Sequence, residues 1–319
     1  MGFGETIKRY LHNVRGDNDE GKTLYLMDYK RLKGILMNCW ANNVAKTTNE
    51  PCHFCDERLM VELRRESWEV ERCFRYRVKE VVRVHAAGGV ERCIASMRRY
   101  FFNDRREIAK ECRRLMQYAA DNAALMHKII HKYNQVHNCK GGSRNCESTF
   151  GAKSLNILQS PWLKELGALY INLNEDSNGG KFKDLFTPFS CDLNPADLLI
   201  TLNLSKSLKL EYSITCPICL DIVFHPHALG CGHFFCKECA CAAASVTIAQ
   251  GFKAATQYSK CPTCRQEGVY ADAEPMRELG LLVKKRNKKY WRERRAAEYE
   301  ARLKQSAEAN TDALFVLAL

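Results

Sequence analysis

The sequence contains no apolar segment long enough to cross a lipid bilayer. The longest apolar run near either end is residues 313–319, whereas a membrane-spanning helix needs about 20 apolar residues. The sequence also lacks a signal peptide, an internal repeat and a glycine-rich loop that would bind nucleotide phosphates. These absences argue against a transmembrane protein, a secreted protein, a repeat protein and a nucleotide-binding enzyme with such a loop.

Cysteine, in contrast, is abundant, with 17 residues among 319. Persistent disulfides need an oxidising compartment, and the lack of a signal peptide favours a reducing one instead. We therefore expect the protein in the cytoplasm, the nucleus or both. The opening residues Met-Gly-Phe-Gly-Glu-Thr match the loose pattern for myristoylation of Gly2, which leaves open a peripheral association with the plasma membrane.

Eight potential metal ligands lie close together in the last third of the sequence. They are Cys216, Cys219, Cys231, His233, Cys236, Cys239, Cys261 and Cys264. A soft cation such as zinc takes four thiolate or imidazole ligands in a tetrahedron. Eight ligands therefore predict two closed sites, with no position left for a catalytic water. The sequence thus predicts two structural zinc ions as cofactors.

The second of the four ligand pairs is a Cys-x-His pair, Cys231 and His233. This order is similar to that of the RING finger, in which two zinc sites interleave. The resemblance implies one site of Cys216, Cys219, Cys236 and Cys239, and another of Cys231, His233, Cys261 and Cys264. The alternative, a cluster of reduced thiols without metal, would require eight coincidental spacings.

The resemblance to RING fingers also implies which residues act in ubiquitin transfer. A RING ligase holds a ubiquitin-conjugating enzyme charged with ubiquitin and positions the thioester for attack by a substrate lysine. By this resemblance, Ile218 and Pro262 contact the conjugating enzyme, and Arg265 bridges that enzyme and ubiquitin. The alternatives are local loop packing for the two apolar residues and a plain surface position for the arginine. Ala243 stands where many RING fingers carry a tryptophan, which leaves the choice of conjugating enzyme open.

A separate Cys-x-x-Cys pair, Cys52 and Cys55, has no obvious partner pair in the sequence. Two free thiols in a loop are the interpretation that we favour over a third zinc site. Cys241 follows Cys239 by two residues, out of register with the ligand pairs, and is interpreted as a packed thiol.

Apolar residues recur at helical spacing through most of the first 138 residues. Long helices with short connections bury their apolar stripes against one another, as in a bundle. The spacing predicts helices over residues 4–12, 24–41, 57–87, about 90–137 and 155–173. Further along, it predicts a β-hairpin over 198–212, a short helix over 240–250 and a C-terminal helix over 274–308.

We therefore predict a mainly α fold: an N-terminal helical bundle, a small zinc-stabilised α+β finger and a basic C-terminal helix. We predict a helical domain over residues 1–173 and a linker with short strands over 174–212. The zinc finger follows over 213–268, and a basic helical tail over 269–319.

The charge of the chain, +12 overall, is concentrated in two regions. Residues 1–150 carry 28 Lys and Arg against 19 Asp and Glu, and residues 284–304 carry 10 against 3. Two basic regions are typical of proteins with a polyanionic partner, such as nucleic acid, an anionic membrane or a soluble polyphosphate. For the C-terminal region, we favour the alternative of a solvated charged helix.

The N-terminal region resembles the SPX domain. That family opens with Met-Lys-Phe-Gly, and residues 1–4 read Met-Gly-Phe-Gly here. It carries Tyr-x-x-x-Lys on its second helix, which corresponds to Tyr29 and Lys33. Its later signature Lys-Ile-Leu-Lys-Lys-Tyr-Asp-Lys corresponds to residues 128–135, which read Lys-Ile-Ile-His-Lys-Tyr-Asn-Gln. SPX domains bind inositol polyphosphates and pyrophosphates, so the resemblance implies a ligand site of Tyr29, Lys33, Lys128, His131 and Lys132.

The helical spacing of these residues agrees with a phosphate site. Residues 128, 131, 132 and 135 share one helix face, and cations that converge with a phenol suit a multiply charged phosphate. A solvated basic helix face is the alternative. Gly2, His131 and Gln135 stand where the SPX family has lysine, which weakens three cationic contacts.

An SPX domain followed by a RING finger resembles the plant nitrogen-limitation-adaptation type of ubiquitin ligase. The similarity extends to residues 157–163, 268–270 and 290–295. It implies a conjugating enzyme, ubiquitin and an inositol (pyro)phosphate as partners, and plasma-membrane phosphate transporters as substrates. Two other classes remain: a phosphate-sensing scaffold with an inactive RING, and a zinc nucleic-acid-binding protein. The interleaved Cys-x-His pair and Ile218 argue against nucleic acid as a partner.

Overall fold

The structure is a computed structural model that describes residues 24–41, 52, 55–86, 102–137, 156–175, 190–194, 199–205 and 208–317. Gly2 and the helix predicted over residues 4–12 lie outside these ranges. The chain forms two compact units. The first unit comprises Met1–Glu80 and Arg114–Gln159, and the second comprises Val81–Arg113 and Ser160–Leu319. The fold is mostly helical, with a small β region beside the predicted zinc ligands of residues 216–264. This confirms the predicted fold class.

Three helices supply the first unit: α1 (Tyr29–Ala41), α2 (Met60–Ala86) and α3 (Phe102–Val136). The last two are long enough to contribute residues to both units. A π-helical turn, Cys55–Leu59, precedes α2. The apolar stripes predicted from spacing form the core, whose fully buried side chains include Leu32, Leu36, Leu59, Leu63, Phe74, Leu115, Met116 and Ile129.

Helix α1 begins later than the predicted residue 24 because Asp28 caps it. The Asp28 carboxylate accepts a hydrogen bond from the backbone N–H of Arg31 at 2.9 Å, which satisfies one donor of the first turn. The nearly buried Glu66 accepts hydrogen bonds from the Tyr25 hydroxyl at 2.7 Å and from the backbone N–H of Asp28 at 3.1 Å. These bonds hold residues 24–28 in a non-helical conformation against α2.

The second unit contains α4 (Pro161–Glu175) and a three-stranded antiparallel sheet of β1 (Ser190–Asn194), β2 (Leu199–Ser205) and β3 (Leu208–Ser213). The predicted hairpin corresponds to β2 and β3, and Ile200 and Leu202 are its fully buried residues. Strand β1 was not predicted, because its sequence Ser-Cys-Asp-Leu-Asn is short and contains Asp and Asn, which are depleted in strands. A proline at the first position of α4 suits a helix start, since that N–H has no helical partner.

The finger contains a second sheet and one short helix. Strands β4 (Pro226–Ala228), β5 (Phe234–Cys236) and β6 (Glu274–Pro275) pair in the order β5–β4–β6. Helix α5 spans Lys237–Ala243, so the prediction of a helix over 240–250 has the wrong bounds. The helix ends where Ser245 adopts a positive φ of 57°, which an α-helix does not accommodate.

Two helices, α6 (Arg277–Arg286) and α7 (Lys288–Leu317), replace the single C-terminal helix that was predicted. The break lies at Asn287, with φ −125° and ψ 62°. No helix among the described residues is both long and apolar enough to span a membrane.

A buried polar network joins α4 to α6. The fully buried Glu165 carboxylate accepts hydrogen bonds from the backbone N–H groups of Glu278 at 2.8 Å and Leu279 at 3.0 Å. The Glu278 carboxylate in turn contacts Asn172 Nδ2 at 3.0 Å and His85 Nδ1 at 2.7 Å. Glu165 thus supplies the acceptors that the first turn of α6 lacks within its own helix.

Replacing Glu165 by Ala should destabilise the second unit by about 2–4 kcal/mol, because two buried N–H groups lose their acceptors. Glu165→Gln, which keeps one acceptor oxygen, is the milder control.

Burial raises the pKa of Glu165 from 4.5 to about 8. The folded state therefore prefers the neutral acid, and this stabilisation is lost as pH rises from about 4.5 through about 8. Thermal unfolding should show wild type losing more stability than Glu165→Gln between about pH 5 and 8, and an equal loss would contradict this assignment.

Candidate functional site

Two loops of the finger have the same backbone structure. We call residues 215–222 the first knuckle and residues 260–267 the second knuckle. Each is closed by a β-bridge, Thr215 with Ile222 and Lys260 with Glu267. In each, the N–H of the residue four after the first cysteine donates to that cysteine's carbonyl at 2.9 Å.

The equivalent residues at these positions are Leu220 and Arg265, and both adopt a positive φ, of 58° and 62°. Each knuckle therefore aims the two sulfurs of its Cys-Pro-x-Cys sequence toward one point.

The first knuckle brings Cys216 and Cys219 to Cys236 and Cys239. The four sulfur atoms all lie within 4.8 Å of one another. Cys236 ends β5 and Cys239 lies in the first turn of α5, so the sheet and the helix supply the second pair. Hydrogen bonds from the Cys236 and Cys239 thiols lower the pKa of the Cys216 thiol well below its ordinary value. Hydrogen bonds with Cys216 raise the pKa of the Cys236 and Cys239 thiols, so the first thiolate of this cluster forms on Cys216.

Backbone N–H groups also face these sulfurs. Phe224 N–H donates to Cys236 Sγ at 3.1 Å, and Cys236 N–H donates to Cys216 Sγ at 3.5 Å. Such bonds orient metal ligands and stabilise thiolates.

The second knuckle brings Cys261 and Cys264 to Cys231 and His233. Their ligand atoms also lie within 4.8 Å of one another, with Cys231 Sγ 3.5 Å from His233 Nδ1. Gly232, between the two ligands, has a φ of 87°, a conformation that favours glycine. The structure therefore groups the eight residues in the interleaved way that the resemblance to RING fingers implies.

The donor sets fit zinc. A tetrahedral zinc ion with bonds of about 2.3 Å to sulfur separates two sulfur ligands by about 3.8 Å. The distance from Cys219 Sγ to Cys236 Sγ is 3.8 Å. Four protein ligands at each centre leave no position for water, so the ions bound there would stabilise the finger rather than activate a nucleophile.

The predicted contact residues lie on the two knuckles. Ile218 is 40% exposed, Pro262 is half-buried and Arg265 is exposed. Leu220, which the sequence analysis missed, is 80% exposed. The sequence feature that could have identified Leu220 is its position, as an apolar residue directly after the first ligand pair. The first knuckle thus exposes two apolar side chains, those of Ile218 and Leu220.

Helix α7 packs against the finger through its first turns. The Tyr290 hydroxyl donates to the Ile222 carbonyl at 2.5 Å, and the Trp291 ring lies 4.6 Å from the Phe224 ring. His225 Nδ1 lies 3.1 Å from a Glu298 carboxylate oxygen. The basic helix is therefore solvated on only part of its surface, because the face that carries these side chains packs against the finger.

The residues implied in inositol phosphate binding lie on two helices of the first unit. Tyr29 and Lys33 belong to α1, and Lys128, His131 and Lys132 belong to α3. Lys33, Lys128 and His131 are exposed, whereas the other two are half-buried.

Two contacts fix the direction of these helices. Met27 N–H donates to Asn122 Oδ1 at 3.0 Å, and Cys39 Sγ lies 4.0 Å from His137 Nε2. Met27 precedes Cys39 in the sequence, and Asn122 precedes His137 in the same way. Therefore α1 and the last part of α3 run parallel. The implied phosphate ligands lie between these two contacts on neighbouring helical segments.

Cys52 and Cys55 are free cysteines, as the sequence analysis favoured, but they lie beside two residues that the sequence did not indicate. Cys39 and His137 lie beside them, and the four ligand atoms lie within 4.8 Å of one another. Neither partner follows a recognisable spacing, because they are 13 and 82 residues away from the cysteine that each contacts.

Comparisons with known proteins agree with the finger geometry. The family model for the RING-type zinc-finger matches residues 216–262. The probable E3 ubiquitin-protein ligase BAH1-like of Arabidopsis thaliana is 40% identical over 326 residues, which cover 96% of each chain. The probable E3 ubiquitin-protein ligase BAH1-like 1 of Oryza sativa subsp. japonica is 40% identical over 97% of this chain and 96% of that protein.

The E3 ubiquitin-protein ligase NLA of Arabidopsis thaliana is 34% identical over 94% of this chain and 95% of that protein. No solved structure matches the chain. Because these similarities extend over nearly the full length and include the RING finger, the chain belongs to the family of plant E3 ubiquitin-protein ligases that includes the BAH1-like proteins and NLA.

Proposed function

We propose that this ligase recruits a ubiquitin-conjugating enzyme through Ile218 and Pro262 and that inositol (pyro)phosphate binding to its first unit controls ubiquitin transfer. We propose a plasma-membrane phosphate transporter as the substrate, which would give the ligase a role in phosphate homeostasis. The observation that carries the first part is the exposed apolar surface of the first knuckle. A side chain held at the end of a rigid loop loses little freedom on binding, so it suits a recognition surface.

The finger would act by positioning rather than by covalent chemistry. Bound zinc would supply the rigidity that a domain of this size lacks. Ile218 and Pro262 would hold the conjugating enzyme, and the exposed Arg265 would donate hydrogen bonds to acceptors on that enzyme and on ubiquitin at once. A guanidinium has five donors in a fixed plane, which suits bridging. Holding the thioester in one orientation accelerates its attack by a substrate lysine.

The support for an inositol phosphate ligand lies in the parallel arrangement of α1 and α3. Lys33, Lys128 and His131 are exposed on adjacent helical segments. His131 Nε2 lies 3.0 Å from Gln135 Nε2, so these two side chains share one face of α3. Several cations on neighbouring helices can make charge-assisted hydrogen bonds to one polyphosphate, whereas a single phosphate would engage fewer of them.

The support for a transporter substrate is similarity rather than geometry. The chain resembles the nitrogen-limitation-adaptation type of ligase in its SPX-like signature residues and is 34% identical to the ligase named NLA.

The experiment that tests this proposal combines binding and transfer. By calorimetry of the full chain with inositol hexakisphosphate, Lys128→Ala should weaken binding about tenfold, since one charge-assisted contact is lost. The double variant His131→Lys, Gln135→Lys should tighten it, because it places ammonium groups at two positions where the SPX family has lysine. The ligand should also change the rate of ubiquitin transfer to a purified phosphate transporter.

Lys110→Ala is the matched control, since Lys110 is an exposed lysine of the same helix paired with Glu107 at 2.8 Å. Absence of binding at low salt, or equal weakening by Lys110→Ala, would contradict the ligand site. Transfer that does not respond to the ligand would contradict its regulatory role.

A further inference from the structure

A third cluster of potential metal ligands lies in the first unit, remote in sequence from the finger. Cys39, Cys52, Cys55 and His137 place their ligand atoms within 4.8 Å of one another. The Cys39 and Cys52 sulfurs are 3.5 Å apart, and His137 Nε2 lies 3.2 Å from Cys55 Sγ and 4.0 Å from Cys39 Sγ.

Three of these four residues lie at the ends of helical segments. Cys39 lies in the last turn of α1, Cys55 opens the π-helical turn before α2, and His137 directly follows α3. Cys52 precedes Cys55 by three residues, the spacing of the Cys-x-x-Cys pairs that hold zinc in the finger. The cluster therefore has the usual make-up of a structural site: one local pair closed by two distant ligands.

The cluster matches the finger centres in scale. The sulfur-to-nitrogen distances of 3.2 and 4.0 Å bracket the 3.5 Å found in the finger. The sulfur-to-sulfur distance of 3.5 Å is close to the 3.8 Å found there. A tetrahedral zinc ion with bonds of about 2.0–2.3 Å fits ligands at these separations.

Burial also distinguishes the cluster from surface thiols. Cys39 and Cys55 are fully buried, and Cys52 is 9% exposed. The His137 ring packs on the Tyr133 ring, with centroids 4.4 Å apart, and its Nε2 faces the sulfurs. An imidazole nitrogen directed at three buried sulfurs is unusual in a purely apolar core, because a polar group there needs a partner.

We propose that the first unit binds a structural zinc ion through Cys39, Cys52, Cys55 and His137, independently of the two centres of the finger. On binding, the three thiols release their protons to solvent and the imidazole binds as the neutral form through Nε2. The ion and three thiolates together carry one negative charge. Four protein ligands close the site, so its role is to tie the ends of α1 and α3 to the start of α2.

Metal analysis of the full chain, purified without added chelator and with thiols kept reduced, tests this directly. Wild type should contain about three zinc ions per chain, and Cys52→Ser or His137→Ala should contain about two. Cys52 is the most exposed of the three cysteines, so Cys52→Ser should fold even if a variant of a fully buried ligand does not. Cys73→Ser, at a half-buried cysteine of α2 outside the cluster, is the matched control and should retain about three.

Cobalt substitution supplies an independent reading. The His233→Ala variant, with one finger centre broken, should still show the absorption of a tetrahedral Cys3His cobalt site, and adding Cys52→Ser should remove that component. Two zinc ions in reduced wild type would overturn the proposal. So would an unchanged zinc content in both Cys52→Ser and His137→Ala. A Cys39–Cys52 disulfide that mass spectrometry finds even in protein purified with reductant would likewise identify the cluster as a redox pair instead.

Discussion

Replacing His233 by Ala is expected to abolish ubiquitin transfer by this ligase. His233 is the one imidazole among the eight predicted zinc ligands of the finger, and its group also includes two cysteines of the second knuckle. Loss of one ligand leaves a three-ligand centre. Because structural zinc contributes about 10 kcal/mol or more to the folding of small zinc domains, the second knuckle should lose its fixed conformation. Arg265 and Pro262 would then lose their positions.

The measurement is discharge of ubiquitin from a charged conjugating enzyme, with zinc content determined on the same samples. The zinc content of His233→Ala should fall by about one ion per chain while the helical content of the first unit persists. His127→Ala, at an exposed histidine on α3, is the control and should retain full activity. Wild-type discharge by His233→Ala would show that this centre is not needed for transfer.

Ile218→Ala should reduce ubiquitin discharge at least about tenfold while leaving zinc content and thermal stability unchanged. Truncating a central apolar contact typically costs an interface about 2 kcal/mol or more, which corresponds to a loss of tenfold or more in affinity. The folded state should tolerate the change, because the side chain is 40% exposed and its loss removes little core packing.

Tyr258→Ala is the matched control. Tyr258 is a large exposed side chain of the same finger, 69% exposed, and lies outside both knuckles. It should leave discharge unchanged across a panel of conjugating enzymes. If Ile218→Ala lowers the melting temperature or releases zinc, its role is packing and the contact assignment fails. Equal loss in both variants would point to a general effect of surface truncation.

Local patterns predicted the elements that depend on local physics. The apolar repeat over residues 57–87 corresponds to α2 (Met60–Ala86), because a stripe of apolar residues at helical spacing must be buried. Alternation of apolar and polar residues in β2 and β3 predicted the hairpin, because successive side chains of a strand point to opposite faces of the sheet and only one face is buried. The interleaved grouping of the finger ligands followed from the resemblance to RING fingers, since the order of ligand pairs is itself a sequence pattern.

Features that depend on distant contacts could not be read in this way. His137 meets Cys55 across 82 residues, and no spacing rule links them. Glu165 caps α6 from another helix, so its burial depends on tertiary packing. The break at Asn287 interrupts a segment whose composition favours helix on both sides. Leu220 was overlooked because nothing in the sequence distinguishes an exposed leucine beside a ligand pair from a buried one.

The pairing of two equivalent knuckles also sets a requirement on whatever surface meets the finger. The first knuckle ends in Ile218 and Leu220, whereas Thr263 and Arg265 occupy the same positions of the second. A partner surface must therefore be apolar opposite one loop and rich in hydrogen-bond acceptors opposite the other. Turning such a partner by half a turn would set apolar groups against a guanidinium and leave it without acceptors. A partner that contacts both knuckles would thus fit this surface in a single orientation.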